Sequence, residues 1–312
     1  MDADTGPRHD VVVGVDGSEL ALHAVGWAAT EARLRGLPLR ILHAAPRPAS
    51  HAGAEPQQAP AILARAFTVA RRAEPDVVVS TTHTAHDAAA SLLAAADGAA
   101  LLVVGMGGGP GEALAGSVAL AVSGRAPCPV AVVRGGPVPP HGPVLVGVDT
   151  LGEDGLHRDA AALSVAFTDA RRHRGRVTVL HARYVTGAGR TPGDELAVDV
   201  AVRDRLHGEL GAWTVRFPDV PVHVSVVHGN PAQALLRAAE GSRLVVLGTR
   251  GLGAYTQDLF GSTSREVLRR SPVTVLVVNP DTVGAAPDPG EQAPVGVGGT
   301  QLDHPHDHSV LF

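Results

Sequence analysis

Short apolar runs that do not alternate with polar residues punctuate the chain, and stretches of helical composition separate them. Asp10-Val-Val-Val-Gly-Val-Asp16 is the first such run and ends in an acid. Gly17-Ser18 turns the chain, and Glu19–Arg35 follows with Ala21, Ala24, Val25, Ala28 and Ala32 on one helical face. Leu39–His43 reads as the next strand, and the Pro-, Ala- and Gln-rich stretch Pro46–Pro60 as a surface loop. The pattern then predicts a helix over Ala61–Ala73, a strand over Asp76–Ser80 and a helix over Asp87–Ala96. A buried strand over Ala99–Gly105, a helix over Ser117–Gly124 and a last strand over Val130–Val133 complete it. Non-alternating strands between helices indicate a parallel sheet covered on both faces.

Gly135–Pro143 is rich in Gly and Pro, and after it the pattern starts again. Val144-Leu-Val-Gly-Val-Asp149 repeats Val11-Val-Val-Gly-Val-Asp16, and Val179-Leu-His-Ala182 repeats Ile41-Leu-His-Ala44. Glu240–Gly248 repeats Asp97–Gly105, and Arg270–Val278 repeats Arg125–Val133. The offset grows from 133 residues at the aspartates Asp16 and Asp149 to 145 at Ser117 and Ser262. A longer helix around Asp194–Trp213 in the second copy contributes to that drift. Four matches in one order indicate two copies of one domain. The expected division is a flexible N-terminus 1–9, domains 10–134 and 143–279, a linker 135–142 and a disordered tail 280–312.

Composition narrows the function. The 312 residues suffice for two domains, and an apolar content of 45% suffices for a core in each. Aromatics are only 3%, so Ala, Val and Leu must build those cores. The formal charge of −5 argues against nucleic acid as a partner. All 26 basic residues are arginine, which excludes a Walker A loop with its obligatory lysine. The single cysteine, Cys128, excludes an internal disulfide framework and fits a reducing cytoplasm. Met1–Asp10 lacks the apolar core of a signal peptide, and Ala88–Val104 is broken by Asp97-Gly98, so no membrane span is expected. His304, His306 and His308 alternate in the tail, but a disordered segment holds a metal poorly, and no metal site is assigned.

The candidate chemistry lies between Arg243-Leu-Val-Val-Leu247, a buried strand, and Ser264–Arg270, a helix. A glycine-rich loop between them sets backbone N–H groups and a helix N-terminus beside a strand end, a place that attracts phosphate. Gly248 and Gly251 permit close approach of a ligand to the backbone. Ser262 and Thr263 add hydroxyls. Thr263 with Glu266 also fits a capping box, so the same residues could serve only the helix.

The spacing Gly248-x2-Gly251-x9-Gly261-Ser262 resembles the nucleotide-binding signature of the universal stress protein family. The resemblance covers about residues 10–134 and 143–279 and is similar to tandem actinobacterial members. It implies an α/β protein of two tandem Rossmann-like (adenine nucleotide α-hydrolase-like) domains. Each would be an open five-stranded parallel sheet of order 3-2-1-4-5 with helices on both faces. It also implies ATP, with or without Mg2+, as the ligand, bound at the switch in strand order. By the resemblance Asp149 faces the adenosine, and the backbone of Ala182 meets the adenine edge. Amides of Gly248, Thr249, Arg250 and Gly251, with Gly261, Ser262 and Thr263, hold the phosphates, and Arg250 adds charge. In the first copy the matching residues are Asp16, Ala44, Gly105, Gly108, Gly116, Ser117 and Val118. A strand-end turn cap is the alternative role for Asp16 and Asp149. His43 and His181 read as packed histidines.

The copies depart from the signature differently. Seven residues, not nine, separate Gly108 from Gly116, and no arginine matches Arg250 there. The first copy has Thr84-Ala-His-Asp-Ala88 where the second has His228-Gly-Asn-Pro-Ala232. Asp149 is followed by Thr-Leu-Gly where Asp16 has Gly-Ser. Phosphate binding is therefore expected in the second copy first. No HExxH, GxSxG or Cys-His arrangement is evident, so no catalytic residue is assigned and turnover of ATP should be slow at most. The leading expectation is a cytoplasmic ATP-binding regulator. The alternatives are an adenine-nucleotide hydrolase or pyrophosphatase, and an interaction module that has lost nucleotide. The apolar last strands would aggregate if bare, so they are expected to pair within the chain as a pseudo-twofold monomer, which leaves a further homodimer open.

Overall fold

Valine runs bounded by glycine, proline and acids form the strands, and alanine-rich stretches form most of the helices between them. The structure is a computed structural model that describes residues 9–45, 58–106, 117–136, 139, 142–149, 155–184, 191–249 and 261–280. The first half runs β1 (Val11–Val15), α1 (Glu19–Arg35), β2 (Leu39–Ala44), α2 (Gln58–Ala73) and β3 (Val79–Thr84). It continues α3 (Ala88–Ala96), β4 (Leu101–Gly105), α4 (Ser117–Ser123) and β5 (Val130–Val133). The second half runs β6 (Val144–Gly147), a 3-10 turn over Gly155–Asp159, α5 (Ala160–Arg172), β7 (Val177–Arg183) and α6 (Pro192–Glu209). Then follow α7 (Gly211–Arg216), β8 (Val222–His228), α8 (Pro231–Ala239), β9 (Leu244–Gly248), α9 (Ser262–Arg270) and β10 (Val275–Val278).

All ten strands join one sheet in the order β3-β2-β1-β4-β5-β10-β9-β6-β7-β8. Each half is parallel with the order 3-2-1-4-5. The halves meet where β5 and β10 pair antiparallel, Val132 opposite Val275 and Val130 opposite Val277. The two apolar last strands thus satisfy each other's backbone groups within one chain.

Side chains leave both faces of this sheet for apolar cover, which is why its strands do not alternate. Val11, Val13 and Val146 pack with Ala24, Ala28, Leu163 and Phe167 on one face. Val12, Leu102, Leu145 and Val245 pack with Leu92, Val122, Leu235 and Leu268 on the other. Each cluster runs through both halves. Small alanines let α1 lie close to the sheet, and Ala24, Ala28 and Ala32 are fully buried. Gly36 ends α1 in a left-handed turn at φ 65°, and Arg174 makes the matching turn after α5 at φ 51°.

Two expected elements differ. The third strand is Val79–Thr84, not Asp76–Ser80. It is the sheet's edge, mostly exposed, so β-branched threonines form it rather than the apolar Val77-Val78 pair, and Val78 is 72% exposed. The long helix expected around Asp194–Trp213 is two, α6 and α7, broken at Leu210. The break turns Trp213 onto Phe167 (ring centroids 5.6 Å apart), with Phe217 5.3 Å from Phe167.

A buried charged clasp also links the halves. Glu31 of α1 and Asp169 of α5 each stand four residues before a basic side chain, Arg35 and His173. Glu31 accepts from Arg35 and, across the halves, from His173 Nε2 at 3.0 Å, while Asp169 pairs with Arg243. Burial works to raise the Glu31 carboxyl, but the hydrogen bonds from His173 and Arg35 and the Arg35 charge outweigh it and hold its pKa near about 2. Burial pushes the Asp169 carboxyl up. Glu31, Asp169 and His173 converge, but Arg35 and Arg243 already neutralise the carboxylates, so the cluster is a clasp and not a cation site. Glu31 stabilises the fold at any pH above its unfolded value of about 4.5, and that contribution fades as the pH falls towards 2. Glu31→Gln should lower stability at pH 7 by about 3 kcal/mol and flatten the loss between pH 5 and 3, read from urea midpoints.

Candidate nucleotide-binding site

Strand order reverses beside β1 in the first half and beside β6 in the second, and each reversal opens a crevice at the strands' carboxyl ends. In the second half the crevice is a cavity of about 290 Å³. Gly147, Val148 and Asp149 line it at the end of β6, Leu180, Ala182 and Tyr184 at and after β7, and Gly248 at the end of β9. Gly261, Ser262, Thr263 and Ser264 close it at the start of α9. The matching cavity of the first half is smaller, about 210 Å³, and takes Asp16, Ala44, Gly105, Ser117 and Val118.

Of the residues expected in the second site, Asp149, Ala182, Gly248, Gly261, Ser262 and Thr263 meet at this cavity. Arg250, Gly251, Gly108 and Gly116 lie outside the described residues. Thr249 corrects the expectation. It is 3% exposed, does not line the cavity, and gives its N–H to the Val278 carbonyl at 3.1 Å. That donor is committed to the sheet and is not available to a phosphate.

The capping box expected at Thr263 and Glu266 is also absent. Helix α9 begins at Ser262 after Gly261, with no side-chain cap. Glu266 pairs instead with Arg270 at 3.0 Å, and Ser264 Oγ donates to the Gly248 carbonyl at 3.2 Å. Among the described residues no side chain caps the first-turn N–H groups of α9, which stand at the cavity.

The walls follow from local sequence. Gly229 turns at φ 116°, Asn230 caps α8 by accepting from Gln233 N–H at 3.1 Å, and Pro231 starts the helix at the cavity wall. In the first half Asp87 caps α3 through Ala90 N–H at 2.9 Å, so a different motif builds the same corner. His43 and His181 are buried, with Nδ1 2.8 Å from the Val15 carbonyl and 3.2 Å from the Val148 carbonyl. A carbonyl only accepts, so each Nδ1 carries a proton and donates. Asp16 Oδ1 accepts from Ser18 N–H at 2.9 Å, which is the strand-end turn role. Cys128 is buried, and burial pushes its thiol up to about 12, so it packs and does not react.

The two strand-end glycines are unlike. A Cβ built on Gly105 would lie 2.7 Å from the Leu20 carbonyl oxygen, so helix packing demands glycine there. Among the described residues a Cβ on Gly248 would meet nothing nearer than Asp159 Oδ1 at 3.8 Å. Neither has positive φ. No described residue requires glycine at 248, and Gly248 lines the cavity.

Sequence reasoning missed Asp159. It stands before Ala160-Ala-Ala-Leu163, a helix-start signal hidden by the extra residues after Asp149. It is 5% exposed, lines the second cavity, and accepts from Asp149 N–H at 2.8 Å.

A tandem Rossmann-like fold with a crevice at each strand-order switch defines the class. The profile of the universal stress protein family matches residues 7–134 and again 141–279, and the chain belongs to that family. It is 33% identical to the universal stress protein Rv2005c of Mycobacterium tuberculosis over 86% of this chain and 97% of that protein. It is 31% identical to a universal stress protein of Mycolicibacterium smegmatis, over 88% of this chain and 98% of that one. The crystal structure of a universal stress protein from Archaeoglobus fulgidus superposes with a TM-score of 0.64 at 19% identity, covering 87% of this chain and 96% of its own, and so shares the fold. No helix among the described residues is long and apolar enough to cross a membrane.

The glycine contrast gives a direct check. Gly248→Ala should leave thermal stability within about 0.5 kcal/mol of wild type, whereas Gly105→Ala should cost about 1–3 kcal/mol through overpacking. Equal losses in calorimetry would contradict the open space at Gly248.

Proposed function

We propose that this chain is an adenine-nucleotide-binding regulator whose second cavity takes ATP. In this reading it consists of two domains, 10–134 and 143–279. The observation that carries it is Gly248, a glycine that neither its backbone conformation nor any described neighbour explains, lining a cavity with a helix start that no described side chain caps. A phosphate set there meets the α9 N–H groups and the Ser262 and Thr263 hydroxyls, with the helix dipole favouring its charge. The Ala182 backbone and the apolar side chains of Leu180, Leu235 and Leu247 offer an adenine a flat, dry wall. Asp149 at the strand end is placed to accept from a ribose hydroxyl.

The energetics suffice. Three or four charge-assisted hydrogen bonds at roughly 1.5–3 kcal/mol each, with the adenine buried, reach the roughly 8 kcal/mol of a micromolar site. Mg2+, if carried, would arrive with the phosphates. Binding rather than fast turnover is the proposed activity, and a nucleotide-dependent change of partner or assembly its use.

Native mass spectrometry of the chain with ATP tests this. We expect at least one ATP bound per chain at micromolar concentration, with Gly248→Asp losing the tighter equivalent while remaining folded. No ATP uptake at all, or uptake unchanged in Gly248→Asp, would overturn the assignment of the second cavity.

A further inference from the structure

The two cavities differ at the residue before the helix that follows the first strand of each half. In the first half that residue is Ser18, whose hydroxyl caps α1 by accepting from Ala21 N–H at 3.2 Å. In the second half it is Asp159, and its carboxylate makes no cap to α5. The carboxylate turns into the crevice instead. Oδ2 accepts the Asp149 N–H at 2.8 Å, and Oδ1 faces Gly248. Asp159 therefore lies between β6 and β9, beside the strand end that a phosphate held by α9 must approach.

Its surroundings leave that charge poorly balanced. Asp149 on the β6 end adds a second negative charge; among the described residues Arg158, its chain neighbour, opposes it, and Arg183, which lines the cavity from β7, is already paired with Glu195 and Asp199. The β9 end presents Gly248, and the start of α9 presents Gly261, Ser262, Thr263 and Ser264, all neutral. The following α9 residues Arg265 and Glu266 carry opposite charges. The residues of α5 next to Asp159 are alanines, and the 3-10 turn before it is tied to Glu209 of α6 through Leu156 N–H at 2.8 Å.

We propose that Asp159 makes phosphate binding in the second cavity proton-linked: the neutral acid admits the anion, and the carboxylate repels it. The proposal rests on the nucleotide reading of that cavity and adds its regulation. Burial raises the Asp159 carboxyl, the Asp149 charge raises it further, and the Asp149 N–H and Arg158 oppose this, which leaves it at about 7. A bound anion raises it again, so binding takes up a proton and affinity falls as the pH rises through 7. With that starting value, affinity at pH 8 should be about ten-fold weaker than at pH 6. The first cavity has the Ser18 hydroxyl at this position and should lack the effect. The second cavity would then fill as its surroundings acidify.

Isothermal titration of ATP and of adenosine into the full chain at pH 6 and pH 8, with chelator present, tests this. The partners are Asp159→Asn, which keeps an acceptor for Asp149 N–H, and Asp159→Ser, which copies the first half. The terminal phosphate of ATP titrates in the same range, so the reading is the difference between wild type and Asp159→Asn. We expect wild type to weaken about ten-fold more than either variant from pH 6 to pH 8, and adenosine binding to stay flat. Gly248→Asp should abolish the pH-dependent component. Buffers of differing ionisation enthalpy should show a proton taken up by wild type beyond that of Asp159→Asn. ATP binding with the same pH response in wild type and both variants would overturn the role of Asp159 and leave the nucleotide reading intact. No ATP binding at either pH would sink both.

Discussion

A parallel sheet can cover its faces with crossover helices but not its last edge, and in this chain two such edges seal each other. The antiparallel pairing of β5 with β10 turns two five-stranded sheets into one of ten, with Leu276 opposite Ala131 at its centre. Neither strand carries a charge or proline that would protect it alone. The helix layers follow from that weld. Both apolar clusters run through it unbroken, and α1 and α5 come near enough for Glu31 to take a hydrogen bond from His173. The halves therefore act as one folding unit more than as two beads on a linker.

The weld also holds the two crevices fixed on one sheet, and evolution of the copies has treated them differently. In the first half Gly105 is required by α1 packing, the cavity is smaller, and the helix before it starts on a neutral serine. In the second half no described residue crowds Gly248, the cavity is larger, and a buried acid lines it.

Most of the fold was legible because burial on both sheet faces leaves an unmistakable record, such as Val11-Val-Val13 and Leu101–Val104. The repeat supplied the second half from the first. The edge strand was misplaced because exposure removes the apolar signal: only Val79 of the valine run joins the polar Ser80–Thr84, which β2 pairs along its whole length. The α6–α7 break was missed because Leu210 continues the helical pattern, while the kink is set by tertiary packing of Trp213 and Phe217 on Phe167. At the site, the glycine spacing located the strand end and the helix start. It could not show that Thr249 spends its N–H on Val278, since sheet register is a three-dimensional fact. Nor could it show Asp159, ten residues beyond the motif's aspartate and hydrogen-bonded to its N–H in the structure.

Hydrogen–deuterium exchange with and without ATP tests the central claim most directly, because it reports position without any substitution. Slower exchange on ATP binding at residues 147–149, 180–184 and 261–264, around the second cavity, is the predicted result. Protection confined to residues 14–18, 42–45 and 117–119 around the first cavity, or no protection anywhere, would contradict it.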